Sequence, residues 1–285
     1  MRVVGAFGPI DDVAMTAQAV TRGQPPISRF APSPTGLLHL GHAYSAVTAH
    51  DVARAQGGRF LVRIEDIDGG RCRTAFVAAI FDDLRWLGLT WDGVSVQSDH
   101  AARYDAALDV LRAKGLAYAC ICTRAEIAAS ASAPQGDLPP VYPGTCRGRT
   151  VKGPAAWRLD MARAAAADQP AQAWGDVVIA RKDALASYHL AVVVDDAAEG
   201  VTDVVRGRDL ESATDIHRVL QTLLSLPTPR YHHHALIYGP DGKRLAKRTG
   251  SASLAELRAG GMDAAELVAG LRAGRLPIGF SVDSP

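Results

Sequence analysis

Apolar and polar positions along the first 115 or so residues follow a strand-then-helix rhythm. Residues 27–31 (ISRFA) read as a short buried strand, closed by the turn-forming PSPTG at 32–36. A helix is predicted from about Gly41 to the Gly57-Gly58 pair, since glycine is favoured just past a helix C-terminus. RFLVRIED (59–66) reads as a second strand. From Thr74 to Leu87 the apolar residues Phe76, Ile80, Leu84 and Leu87 recur at helical spacing. A further helix is predicted over Asp99–Lys114 and is again followed by a glycine. Strands alternating with helices argue for an α/β fold on a parallel sheet.

The rhythm breaks at 118–150, which is rich in Pro, Ser, Gly and Cys and reads as one long loop. A loop of that length inside a domain is normally functional or held by something else. Residues 176–207, with their valine runs, read as β-rich; 213–226 as helix; 231–239 as a strand; 240–251 as a basic loop flanked by glycine. No repeat period is visible. The expected organisation is therefore a flexible extension over 1–26, with Pro25-Pro26 marking the onset of order. The first half of a catalytic-type α/β domain spans 27–117, an insertion 118–150, and the second half 151–250. A short helical C-terminal segment occupies 251–285.

Composition narrows the class. Of 285 residues 48% are hydrophobic and 21% charged, which excludes a wholly disordered chain. Four cysteines are too few for a disulfide scaffold of this length. No apolar run reaches the roughly 18 residues of a membrane span. With 31 basic against 30 acidic residues, the chain is no generic polycation, although a local basic groove is compatible with that balance. The N-terminus carries Asp11 and Asp12 and lacks a solid apolar core, unlike a secretory or mitochondrial leader. The expected location is the reducing cytoplasm, where cysteines serve as thiols or metal ligands, and nothing demands more than a monomer.

Three groups of residues carry candidate chemistry. His39, Gly41 and His42 lie at a predicted strand-to-helix junction, where free N–H groups and a partial positive charge favour phosphate. Incidental histidines on a capped surface helix would look the same. Lys243, Arg244, Lys247 and Arg248 crowd a glycine-flanked loop and could meet the charge of a phosphoryl transition state; a solvated charge run is the ordinary alternative. Cys120, Cys122 and Cys146 form a C-x-C pair and a distant third thiol. Zinc takes four ligands, and no histidine occurs between 101 and 188 to supply the last, so three unrelated thiols remain open. Cys72 reads as a lone thiol, and Asp66 and Asp68 as turn or capping carboxylates. His232 and His234 share a strand face, either metal-binding or turned toward a nucleotide.

The motifs HLGH (39–42) and RLAKR (244–248) resemble the two signature sequences of class I aminoacyl-tRNA synthetases. RFAPSPTGLLHLGHA (29–43), RIEDID (63–68) and YHLAVVVDDAAEGVTDVVRGRDL (188–210) are similar to the glutamyl/glutaminyl branch of that family. The resemblance covers roughly residues 27 to 250 in matching order. It implies a Rossmann-type catalytic domain with a small zinc-binding insertion and a short helical C-terminal part. It implies ATP contacts from His39, Gly41, His42, Arg244 and Lys247, with His39, His42 and Lys247 catalytic, and Mg(2+) accompanying ATP. It assigns the glutamate contacts to Arg29, Phe30, Ala31, Pro32, Ser33, Glu65, Tyr188 and Arg206. Chemistry agrees: guanidinium groups bind carboxylates through paired hydrogen bonds, Glu65 suits the substrate ammonium, and Ser33 and Tyr188 offer neutral bonds. A surface salt bridge is the alternative for either arginine alone. The family's insertion makes Tyr142 the fourth ligand beside Cys120, Cys122 and Cys146, holding one structural Zn(2+) where relatives contact the RNA acceptor region. Two departures stand out: Ala246 where the family loop usually has a hydroxyl, and Gly69-Gly70 where prolines are frequent.

Only 37 residues lie beyond Arg248 in a chain of 285, too few for the anticodon-binding region of a full glutamyl enzyme. The resemblance is therefore to the family's stand-alone catalytic-core paralogue. That implies activation of L-glutamate without tRNA and its transfer to queuosine at the wobble position of tRNA(Asp). The competing expectations are a truncated enzyme charging an acceptor end and a non-catalytic amino-acid or RNA sensor.

Overall fold

The computed structural model describes residues 24–130, 141–166, 169–245 and 252–282. Almost all of the expected N-terminal extension, together with Ala246, Lys247 and Arg248, lies outside the described residues. The chain order is β1 (Ile27–Phe30), α1 (Leu40–Arg54), β2 (Arg59–Ile64), α2 (Thr74–Trp86), β3 (Gly93–Val96), α3 (Ala101–Ala113) and β4 (Ala117–Cys120). There follow α4 (Arg124–Ser130), β5 (Ala156–Leu159), α5 (Met161–Ala164), β6 (Val178–Ala180), α6 (Tyr188–Ala198), β7 (Asp203–Gly207) and α7 (Ala213–Leu223). The last elements are β8 (Arg230–His234), β9 (Ile237–Tyr238), α8 (Leu254–Ala259), α9 (Ala264–Arg272) and β10 (Ser281–Val282).

Five strands form a parallel sheet in the order β3-β2-β1-β7-β8. Successive strands step outward from β1 to β3, then the chain returns to the other side of β1 for β7 and β8. That reversal, between β1 and β7, is the place where open α/β sheets leave a crevice at the carboxyl ends of the strands. It sets β1 beside β7, with Ser28 opposite Asp203 and Arg29 Nη1 donating to the Val205 carbonyl at 3.4 Å. The expectation of a Rossmann-type sheet is met.

Helix α1 packs on this sheet through Ala43, Ala46, Val47, Ala49 and Ala53, all buried. Small side chains let the helix axis approach the strands closely, which brings the first turn of α1 over the crevice. A second apolar cluster gathers Tyr104, Leu111, Ile179, Leu190, Ile216 and Leu220 from α3, β6, α6 and α7.

Several expectations need correction. The valine run inside 176–207 is not a strand: Val192, Val193 and Val194 belong to α6. Every residue from Leu190 to Asp196 is buried, so this helix lacks the one-sided periodicity that marks an amphipathic one. Ser187 caps it, its Oγ accepting from the Leu190 N–H at 3.4 Å. Burial against both neighbours overrides the β preference of valine. The strand expected over 231–239 is two strands, because β8 ends at His234 and β9 pairs antiparallel with β10 instead. The long loop expected over 118–150 holds most of β4 and all of α4, and β4 joins β5 and β6 in a separate antiparallel sheet. Strand β3 (GVSV) was too short and too polar to stand out in the pattern.

Candidate active site

A cleft of about 540 Å³ opens at the crevice between β1 and β7. Arg29, Phe30, Ala31, Pro32 and Ser33 line it from the end of β1 and the turn that follows. Glu65 enters just past β2, Tyr188 from the first residue of α6, and Arg206 from β7. His39, Gly41 and His42 line it from the start of α1, and Arg244 from the beginning of the basic loop. Eleven described positions expected from separate motifs thus share one cavity, and so does Arg29, the twelfth. Lys247 lies outside the described residues.

The histidines do more than sit on a helix. His39 is the N-cap of α1: its Nδ1 accepts from the Gly41 N–H at 3.2 Å, and the His39 N–H donates to His42 Nδ1 at 3.1 Å. This is a capping box built from two imidazoles, which satisfies two backbone donors the helix leaves orphaned. Because each Nδ1 accepts, each neutral ring carries its proton on Nε2, the atom suited to donate to a phosphate oxygen. The rings lie 3.8 Å apart, centroid to centroid. Gly41 has a local reason as well: a Cβ there would meet the His39 ring at 3.1 Å.

Beneath the cleft lies a buried ionic network. Arg29 Nε donates to Asp196 Oδ1 at 2.9 Å, and Arg63 bonds the same Asp196. Arg63 also reaches both Glu199 oxygens at 3.2 Å, and Ser95 donates to Glu199 at 2.6 Å. Asp195 accepts from Gln97 at 2.9 Å, Arg103 at 3.0 Å and Tyr104 at 2.7 Å. Burial pushes the Asp195 and Asp196 carboxyls up, but the surrounding guanidinium and hydrogen-bond donors outweigh it and hold both below the ordinary range. Glu65 behaves oppositely. Desolvation outweighs the attraction of Arg63 and Arg29 and pushes its carboxyl up to about 7.

Arg206 differs from Arg29 and Arg63 in its company. It is 5% exposed, yet among the described residues no carboxylate pairs with it. Its Nη2 donates to Thr214 Oγ1 at 2.7 Å, and its Nη1 to His217 Nδ1 at 3.1 Å and to the Tyr188 hydroxyl at 3.4 Å. Its Nε donates to His233 Nε2 at 3.4 Å, and the Tyr231 ring lies 5.0 Å from the guanidinium carbon. A buried charge without an opposite charge is costly unless a ligand supplies one. Chemically, the arrangement can receive an anion. Arg244 is held at the rim by Asp209, at 2.5 Å.

The cysteine group converges too. The Cys120, Cys122 and Cys146 sulfurs lie within 4.8 Å of one another. Cys122 and Cys146 are 3.5 Å apart, and the Tyr142 hydroxyl is 3.4 Å from both Cys120 and Cys122. Zn–S bonds of about 2.3 Å would set tetrahedron edges of roughly 3.7 Å, so the spacing fits a metal of that size. The Tyr142 hydroxyl also accepts from the Cys146 N–H at 2.9 Å, which aims it into the group. Elsewhere, Asp66 accepts from the Ser98 N–H at 2.8 Å and Asp68 pairs with Arg71, as turn carboxylates do. Of the paired histidines on β8, His232 bonds Asp203 at 2.8 Å and only His234 reaches the cleft.

Sequence reasoning missed Asp196, Glu199, Thr214, His217 and His233. One signal was present: two aspartates inside an apolar run, VVVDDAA, since charges buried in such a run require partners. Nothing comparable marked Thr214 or His217, which lie on one buried face of α7.

The family "tRNA synthetases class I (E and Q), catalytic domain" matches residues 27–143 and 160–278. A glutamyl-Q tRNA(Asp) synthetase of Rhodobacter capsulatus is 51% identical over 271 residues, covering 85% of this chain and 98% of that relative. One from Nocardia farcinica is 46% identical over 257 residues, covering 85% of this chain and 82% of the relative. Among solved structures, a glutamate tRNA ligase from Elizabethkingia meningosepticum in complex with its amino acid superposes with a TM-score of 0.67 at 25% identity. That match covers 80% of this chain and 53% of the ligase, so the chain spans about half the length of that enzyme.

Proposed function

The chain belongs to the class I tRNA synthetases of the E and Q type, among the glutamyl-Q tRNA(Asp) synthetases, and we propose that it glutamylates a nucleoside of tRNA in two steps. In the first, a carboxylate oxygen of L-glutamate attacks the α-phosphorus of ATP. The new O–P bond forms as the bond to pyrophosphate breaks, leaving glutamyl-adenylate. The substrate is its own nucleophile, so the protein needs no general base; catalysis is positioning and charge stabilisation. In the second, a hydroxyl of the cyclopentenediol of queuosine, at the wobble position of tRNA(Asp), attacks the glutamyl carbonyl. An ester forms and AMP leaves.

The observation that carries this reading is Arg206, a buried guanidinium whose partners among the described residues are all neutral, facing a cleft that also holds Glu65. Arg206 and the Nη edge of Arg29 would take the two substrate carboxylates, while Glu65 would take the ammonium. Ser33 and Tyr188 would add neutral bonds, with Phe30, Ala31 and Pro32 forming the adjoining wall. His39 and His42 would donate from Nε2 to the triphosphate, Gly41 would let the turn approach it, and Arg244 and Lys247 would meet the leaving pyrophosphate. Mg(2+) bound with ATP supplies charge neutralisation across the phosphates. Cys120, Cys122, Cys146 and Tyr142 would hold a structural Zn(2+) that crosslinks β4 to the segment after 140. The segments divide accordingly: 27–117 and 151–250 as the catalytic halves, 118–150 as the insertion, 251–285 as a helical support. We place the activity in a cytoplasmic monomer; among the described residues no helix is long and apolar enough to cross a membrane.

The test is transfer of labelled glutamate to tRNA(Asp) with and without queuosine, followed by nuclease mapping. Label on the anticodon fragment of the queuosine-containing tRNA alone is the expected result. Label on an acceptor end would make the chain a minimal charging enzyme. No transfer and no glutamate-dependent pyrophosphate exchange would make it a sensor.

A further inference from the structure

We infer that His217, backed by His189, is a positioning residue for Arg206: a neutral imidazole pair that fixes the guanidinium while leaving its charge for the substrate. The inference rests on the reading of Arg206 as a glutamate-carboxylate partner.

The atoms dictate the tautomers. A guanidinium only donates, so the contact of Arg206 Nη1 with His217 Nδ1 at 3.1 Å makes that nitrogen an acceptor. The His217 proton therefore sits on Nε2, which lies 3.2 Å from His189 Nδ1 and donates to it. His189 in turn stands edge-on to Trp174, ring centroids 5.8 Å apart. The chain of bonds runs from the cleft inward and ends against an aromatic wall, with no carboxylate along it among the described residues. Burial and the nearby Arg206 charge both lower the basicity of His217 and His189, the latter to about 4, so both rings stay neutral at physiological pH. Thr214 completes the cradle on the opposite edge, accepting from Arg206 Nη2 and lying 3.2 Å from His233 Nε2.

The usual way to immobilise a buried arginine is an acid, as Asp196 does for Arg29 and Arg63. An acid at 217 would hold the guanidinium equally well but would neutralise it, leaving a substrate carboxylate little to gain. A neutral acceptor holds the geometry and keeps the charge unspent until glutamate arrives.

This predicts a pattern that packing alone does not produce. In glutamate-dependent pyrophosphate exchange, His217→Leu should raise KM for glutamate by roughly 10- to 100-fold, the scale of losing a hydrogen bond to a charged group. KM for ATP should change little. His217→Asn, whose Oδ1 can stand where Nδ1 stands, should recover most of the loss. His217→Asp keeps the shape of Asn but adds a charge, and should lose glutamate affinity as Leu does. Thermal melting of each variant checks that it folds; should Leu fail to fold, the Asn–Asp pair alone decides. Asn and Asp behaving alike, or a folded Leu variant with unchanged KM, would overturn the inference. Arg206→Met is the control. If it raises KM for glutamate selectively while the His217 variants do nothing, only the positioning role falls; if it affects glutamate and ATP alike, the reading of the pocket falls with it.

Discussion

Arg29 and Asp196 meet at 2.9 Å beneath the cleft, 167 residues apart in the chain. This contact separates two arginines that the sequence presents as equals. Arg29 is anchored by a buried acid that it shares with Arg63, whereas Arg206 is surrounded by hydroxyl, imidazole and aromatic groups. The first is tied into the architecture as well as lining the cleft; the second keeps a charge that no described carboxylate balances.

Substituting the two should therefore give different phenotypes. Arg206→Gln should raise KM for glutamate roughly 10- to 100-fold with little change in stability. Arg29→Gln should also destabilise the fold by about 3–5 kcal/mol, since a buried Asp196 loses part of its compensation. Chemical denaturation alongside exchange kinetics separates the two outcomes.

Glutamate affinity should depend on pH through Glu65. Its carboxyl is pushed up to about 7 by burial, so acidification through that value protonates it and removes the partner of the substrate ammonium. KM for glutamate should rise as pH falls below about 7 and level off above it. Glu65→Gln should bind weakly at every pH and flatten the profile; a wild-type profile flat from pH 6 to 8 would remove Glu65 from that role.

Metal analysis should find one zinc per chain. Chelation, or Cys146→Ser, should lower Tm by roughly 5 °C or more, the shift that about 2 kcal/mol produces in a chain of this size. Purified protein with no bound metal and an unchanged Tm under chelator would defeat the zinc reading.

Lys247→Ala should slow pyrophosphate exchange by about 10²–10³-fold, the scale of one electrostatic donor in a transition state, without changing the melting curve. Ala246→Ser restores the hydroxyl frequent in related loops, and exchange by that variant should at least equal the parent.

The sequence by itself determined the alternation of strands and helices that makes a parallel α/β sheet, and the spacing of three thiols that converge in the fold. The turn at 39–42 and the pocket residues Arg29, Glu65, Tyr188 and Arg206 were legible only through family resemblance, because they are scattered along the chain and no local spacing joins them. Tertiary structure alone decided which charges cancel. Asp195 and Asp196 read as part of a valine-rich strand until α6 buried them against Arg29, Arg63 and Arg103. His217 lay unremarked on α7 until packing set its Nδ1 against Arg206. The reason is physical: a side chain's charge state and hydrogen-bond role depend on burial and on neighbours distant in sequence, and the strand order that brings β1, β7 and α6 together is a property of the folded sheet.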